Sequence, residues 1–348
     1  MCTVVYWVWS DGGFLSLFRS DVKEGAIDFA GSAVVHLTGG VAALVACILL
    51  GPRTGRFDDV SSLGKILPHS EPLQALGVFF LWIGWFGFNG GSVLEIATND
   101  LQPVIFGRVL VTTMLGAASA ICSGVIISTG QRHHVGFQVP MNCCLAGLVS
   151  VTAGCSVIEP WAAIVIGAIG AIVFKLWSIF MKRMKIDDVV DAVAVHGACG
   201  IWGVVAAALF SKLEFFEEVY GSGYGNFGKG AFYGGNGYLL GFSISLALCI
   251  QGFVGFTMFI YFYLMNLGGF LRVSVQDEQK GLDESHHGGP SYASGQGYPG
   301  VSDISVPSLE RYEFSGWQTD LAKEGKELAS ASTDSIVVGD DEVECYGS

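Results

Sequence analysis

Charge is what this sequence has least of. Only 14% of its 348 residues are Asp, Glu, Lys or Arg, where a soluble domain carries about 25%. The shortfall argues against a fully water-exposed surface and for one that faces lipid. Proline is also scarce, at 9 residues, beside 49 glycines. Many glycines without prolines or low-complexity repeats point to closely packed helices, not to linkers. A basic face is missing as well. The net charge is −13, and 15 acidic against 5 basic residues fall between Leu271 and Ser348. That distribution excludes a nucleic-acid-binding surface. The nine cysteines lack metal-ligand spacing: Cys143 and Cys144 are adjacent, and Cys47, Cys122, Cys155, Cys199 and Cys249 lie in apolar runs. There cysteine acts as a small hydrophobe. Residues 221–230, GSGYGNFGKG, lack the Ser or Thr that must follow GK in a phosphate loop. They read as a glycine-rich external loop. Met1 to Trp9 lack the basic start and cleavage site of a signal peptide. They read as the end of a span whose beginning is missing.

Long apolar runs are what the sequence does have. Seven stretches are near the length of about 20 residues that crosses a bilayer. They are 27–51, 72–94, 104–129, 139–158, 160–181, 189–211 and 237–270, and the second has no charge at all. The expected fold class is therefore an all-α polytopic membrane protein. Arg53, Arg56, Lys65, Arg132, Lys182, Arg183, Lys185 and Arg272 fall in one set of loops, and Arg19, Lys23, Lys212 and Lys229 in the other. The richer set is expected in the cytoplasm, with the C-terminus on that side. Arg108 breaks the pattern one turn inside an outer helix end and is expected to snorkel. Three regions follow: a membrane domain over 1–270, a polar segment over 271–293 docked beneath it, and an acidic tail over 294–348. The tail has the composition of a disordered chain.

Ionised groups in a bilayer core cost at least about 2.5–3.5 kcal/mol each, so those inside spans demand an explanation. His36 lies in DFAGSAVVHLTGG and His196 in DAVAVHGACGIWG, both among small residues. A neutral imidazole keeps one donor and one acceptor, enough to pass a proton or bind a small amine. The competing reading is a packed histidine bonded to a neighbouring helix. Asp28 stands eight residues before His36, within about 80° of it on a helix. It either caps the outer helix end or faces the same cavity. In IGWFGFNGGS, Trp85, Phe86 and Phe88 surround Asn89 and Ser92. Phe88 and Ser92 share a helix face, and plain aromatic packing is the alternative. Trp7 and Trp9 are interfacial aromatics or a cation–π surface. The loop pairs His133–His134 and His286–His287 read as solvated.

Taken in order, the motifs resemble a known family. DFAGSAVVHLTGGVAALVACILLGPR is similar to the signature of ammonium transporters of the Amt/Mep/Rh superfamily. The resemblance continues through LWIGWFGFNGGS, VIEPWAAIVIG, VDAVAVHGACGIWGVV, EVYGSGYG and GLDESHHGGPSYA, from Trp7 to Ala293. GPRTGRF and the tail segment resemble the plant and algal Amt1 branch. The resemblance implies an eleven-helix inverted-repeat fold, assembled as trimers in the plasma membrane, with one pore per subunit. It implies that Trp9, Asp28 and Ser92 serve ammonium recruitment at an outer vestibule. Asp28 would act there through structure instead of contact. Phe88 matches a pore gate, Trp85 a pore-wall aromatic, and His36 and His196 the twin histidines of the pore. Ser285 matches the position of a regulatory phosphorylation.

In the family, four helices and part of a fifth segment precede the match to Trp7. The expectation is thus seven complete spans plus an N-terminal remnant, in an N-terminally truncated transporter. The resemblance implies ammonium or ammonia as cargo, no cofactor, and a homotrimer or a heterotrimer with full-length homologues in the lipid bilayer. The alternatives are a non-conducting sensor or dominant-negative subunit, and a membrane haem enzyme with histidine ligands.

Overall fold

A computed structural model describes residues 4, 5, 13, 15, 17, 24–57, 70–131 and 136–288. Trp7, Trp9, His133, His134 and the 294–348 tail lie outside the described residues. Among the described residues every regular element is a helix. The main helices are α1 (Thr38–Leu50), α2 (Glu71–Gly91), α3 (Gln102–Gln131), α4 (Gln138–Thr152) and α5 (Pro160–Arg183). They are followed by α6 (Cys199–Phe210), the short α7 (Leu213–Tyr220) and α8 (Tyr238–Leu267). Two π-helices, Ser32–Leu37 and Val193–Ala198, run directly into α1 and α6.

Among the described residues six helices are long and apolar enough to cross a membrane: Ser32–Leu50, Glu71–Gly91, Gln102–Thr129, Pro160–Arg183, Val193–Phe210 and Tyr238–Leu267. The expected all-α polytopic fold is present. The 139–158 stretch differs from its expectation, because its helix stops at Thr152 after 15 residues. The cause is Ser32. Its hydroxyl donates to Val149 O at 2.7 Å and accepts from Ala153 N–H at 2.7 Å. A helix would join those two backbone groups directly, so the inserted side chain opens the ladder. Ala30 and Phe29 N–H then donate to Thr152 O and Ala153 O, at 3.2 and 2.9 Å.

α3, α4 and α5 form the tightest group, and glycine sets their spacing. A Cβ on Gly124 would come within 2.8 Å of Cys143 Cβ, and one on Gly167 within 2.8 Å of Gly116 C. Such approaches exclude any larger side chain. Arg108 does not snorkel. Its guanidinium donates to Ser156 O at 2.8 Å, pairs with Glu218, and lies 3.6 Å from the Phe215 ring centroid. A local ion pair and a cation–π contact satisfy it within the protein.

At the end of the bundle where α1 closes, Arg53 Nε and Nη2 donate to Asp187 at 2.7 and 2.9 Å. Arg272 donates to Leu50 O at 3.0 Å and to Glu278 at 2.9 Å. Glu278 also accepts from Thr54 N–H at 2.7 Å. The segment after α8 is therefore tied back to the loop that follows α1.

Candidate functional site

Each histidine sits in a π-helix, and each π-helix starts beneath an aspartate. Asp28 Oδ2 accepts from Val34 N–H at 2.8 Å and Ala33 N–H at 3.1 Å. Asp188 accepts from Ala192 N–H at 2.9 Å and Val193 N–H at 2.7 Å. Both pairs satisfy N–H groups that a helix start leaves without partners. The two readings open for Asp28 resolve to the cap: the residue is 1% exposed, with its carboxylate turned to the backbone. Asp188 was not singled out from the sequence. The signal existed, for Asp188 precedes His196 by the same eight residues that separate Asp28 from His36. A repeated Asp-x7-His spacing, read as a repeat, marks both caps.

The two π-helices carry rings that lie close together. The imidazoles of His36 and His196 have centroids 5.2 Å apart and planes 13° apart. Trp85 lies 5.0 Å from His36 with planes 12° apart, and its Nε1 donates to Thr152 Oγ1 at 3.0 Å. That bond fixes the indole plane against the histidine. Phe88 completes the cluster, 5.5 Å from His36 and 5.7 Å from Trp85. It is 38% exposed, which leaves its ring at the open side. Among the described residues, His36 Nε2 and His196 Nδ1 are buried and without a hydrogen-bond partner. Neither atom is bonded to a neighbouring helix among the described residues. A buried polar nitrogen without a partner is costly, and its persistence argues for a transient polar visitor.

Of the other sequence candidates, Ser92 ends α2 one turn beyond Phe88, and its hydroxyl donates to Phe88 O at 2.9 Å. With its proton so engaged, the oxygen is left to accept. Ser285 is not part of this cluster. It lies in the short helix Leu282–His286, and its hydroxyl donates to Gly281 O at 3.0 Å. Trp9 lies outside the described residues. A further polar chain escaped sequence reasoning. Gln74 Nε2 donates to Asn142 Oδ1 at 3.1 Å, Asn142 Nδ2 to Asp191 at 3.4 Å, and Ser178 Oγ to Asp191 at 2.7 Å. It links α2, α4 and α5 to the segment that enters the second π-helix. Among the described residues no group of three potential metal ligands gathers.

Fold and site together define a class: a multi-pass helical membrane protein whose paired, interrupted helices present two facing histidines. Comparison with known proteins narrows the class. Residues 1–292 match the model of the Ammonium Transporter Family. The chain is 40% identical over 301 residues to Ammonium transporter 1 member 2 of Oryza sativa subsp. japonica, covering 83% of this chain and 60% of that protein. It is 41% identical over 310 residues to Ammonium transporter 1 member 3 of Solanum lycopersicum, covering 84% and 66%. Among solved structures, one described as a Sensor Amt Protein matches with a TM-score of 0.69 at 32% identity, over 81% of this chain and 67% of that one. Candida albicans Mep2 matches with a TM-score of 0.66 at 26% identity, over 78% and 56%. This chain belongs to the ammonium transporter family. It spans about three-fifths of the length of the first plant relatives it matches.

Proposed function

We propose that this chain serves transmembrane ammonium transport, with ammonia passing the His36–His196 pair. The observation that carries the reading is the orphaned nitrogens: His36 Nε2 and His196 Nδ1 are buried and without a partner among the described residues, on rings whose centroids lie 5.2 Å apart. Ammonium and potassium have similar size and charge, so a simple cation site separates them poorly. Ammonium alone has a proton to give up. An apolar passage that rejects ions through their desolvation cost stops potassium and passes ammonia. The neutral imidazoles supply the polar contacts that the departing solvent shell takes away.

For the remaining residues the family resemblance suggests roles. Ser92 accepts from the arriving cation, Trp9 offers a π-face to it, and Phe88 gates the way inward. Trp85 forms the wall against His36. Asp28 supports recruitment by capping the first π-helix and makes no contact with the cation. Proton transfer through the histidine pair would make the flux electrogenic. The protein sits in the plasma membrane as a multi-pass protein, its C-terminus in the cytoplasm, where the excess of basic loops belongs. It assembles as a trimer, alone or with longer homologues. Phosphorylation of Ser285 would add about −1.5 to −2 charges beside Asp283 and Glu284. That charge would loosen the tail segment held through Glu278.

The test is uptake of labelled methylammonium in cells that lack their own ammonium carriers. Uptake that saturates and falls with His196→Ala supports the reading; uptake no higher than in empty cells contradicts it. The sensor or regulatory-subunit reading is not favoured, since the plant relatives at 40% identity carry the name of transporters. Co-expression with a longer homologue separates the two: lowered flux marks a poisoning subunit.

A further inference from the structure

The two histidine-bearing helices touch through glycine, and the contact is reciprocal. Gly40 stands four residues after His36, and Gly200 four residues after His196. Four residues is about one helical turn, so each glycine lies on the same face as its histidine. A Cβ on Gly40 would overlap Gly197 N and Cα and come within 2.9 Å of His196 C. A Cβ on Gly200 would come within 2.6 Å of Ser32 O, 3.0 Å of Leu37 N and 3.2 Å of Leu37 Cβ. Each glycine thus meets the residue that directly follows the opposite histidine. The contact is not a general property of this helix, because a Cβ on the adjacent Gly39 would meet nothing within 4 Å among the described residues.

We propose that Gly40 and Gly200 are positioning residues that set the separation of His36 and His196. The inference rests on the ammonium reading above and deepens it by naming what fixes the width of the site. The obstacles are mostly backbone atoms of the two π-helices, which have no rotamer to change. A methyl group at either glycine must therefore push the helices apart, by on the order of 1 Å in a close-packed interior. The ring centroids, now 5.2 Å apart, would separate with them. A wider gap admits a cation that keeps part of its water. Rejection of potassium should then weaken before passage of ammonia does.

The experiment compares the parent chain, Gly40→Ala and Gly39→Ala, each with a cryo-EM structure and with ammonium and potassium fluxes in lipid vesicles. The two substitutions add the same methyl to neighbouring positions of one helix, so they differ in the contact alone. Gly40→Ala is expected to widen the ring separation and to lower the ammonium-to-potassium flux ratio at least about tenfold, the scale at which small misplacements act. Gly39→Ala is expected to change neither. An unchanged separation and ratio in Gly40→Ala, or an equal change in Gly39→Ala, overturns the proposal. If Gly40→Ala does not accumulate, Gly200→Ala is read in the same way. If neither accumulates, the proposal is overturned, since the contacts then hold the whole fold instead of setting the gap. A parent chain that moves no ammonium overturns the functional reading alone, because the ring separation still decides the positioning role.

Discussion

Replacing Ser32 with alanine should destabilise the protein, and the structure sets the scale. The hydroxyl is fully buried and makes two 2.7 Å bonds, one given to Val149 O and one taken from Ala153 N–H. Its loss leaves a buried carbonyl and a buried N–H unpaired, at about 1–3 kcal/mol each. Simple addition gives about 2–6 kcal/mol. Relaxation lowers that figure. Val149 O and Ala153 N–H are the partners of an ordinary helical bond, so the freed groups are able to approach one another. Full closure is resisted, because Phe29 and Ala30 N–H hold Ala153 O and Thr152 O. The expected loss is therefore near the lower end, about 2 kcal/mol. At about 2–4 °C per kcal/mol for chains of 150–250 residues, Tm should fall by roughly 4–8 °C. The assay is thermal unfolding in detergent micelles, followed by far-ultraviolet circular dichroism. Tryptophan emission adds a local probe, since Trp85 is bonded to Thr152 beside the altered turn. A Tm within 1 °C of the parent's would refute the argument that Ser32 opens the α4 ladder.

Four further outcomes are expected. Asp188→Ala frees Ala192 and Val193 N–H at the start of the second π-helix and should cost about 1–2 kcal/mol in thermal unfolding. Asp28→Ala should lose a similar amount, and no effect from either would deny the capping role. Glu159 is held down to about 2 by hydrogen bonds from Tyr233 and Trp161, with Lys212 adding a smaller pull. Its folded value lies below the ordinary 4.5, so its contribution is fully present above that pH. It is lost as pH falls through about 2. A Trp161-weighted emission change centred near pH 4.5 instead would contradict this. Glu278→Gln removes the charge that Thr54 N–H and Arg272 engage. Faster hydrogen exchange over 271–288 is expected, and unchanged exchange would show that other contacts hold the segment.

The spans were legible because a bilayer demands long uncharged runs, and six of the seven are full-length helices in the structure. The seventh was cut short by Ser32, 117 residues away in sequence from Val149. No local pattern reports such an insertion. The π-helices were illegible for a related reason. Apolar periodicity cannot distinguish a π turn from an α turn when nearly every residue is apolar. His36 and His196 stood out as polar groups in apolar runs, and Trp85 and Phe88 as aromatics beside glycines. Their mutual approach depends on Gly40 and Gly200, whose sequence neighbourhood looks like that of many other glycines. Arg108 misled because snorkelling was judged from its own helix, whereas Glu218 and Phe215 come from α7. Asp188 was within reach, but only by setting the two aspartate–histidine spacings side by side.

The central claim is that the His36–His196 pair forms the passage for ammonia. The most direct measurement is ammonium flux, with potassium flux alongside it, through vesicles that hold the purified chain and its His36→Leu variant. A saturable ammonium flux that exceeds potassium flux in the parent and falls at least about tenfold in the variant is expected. Equal ammonium flux in both, with potassium still excluded, would contradict it.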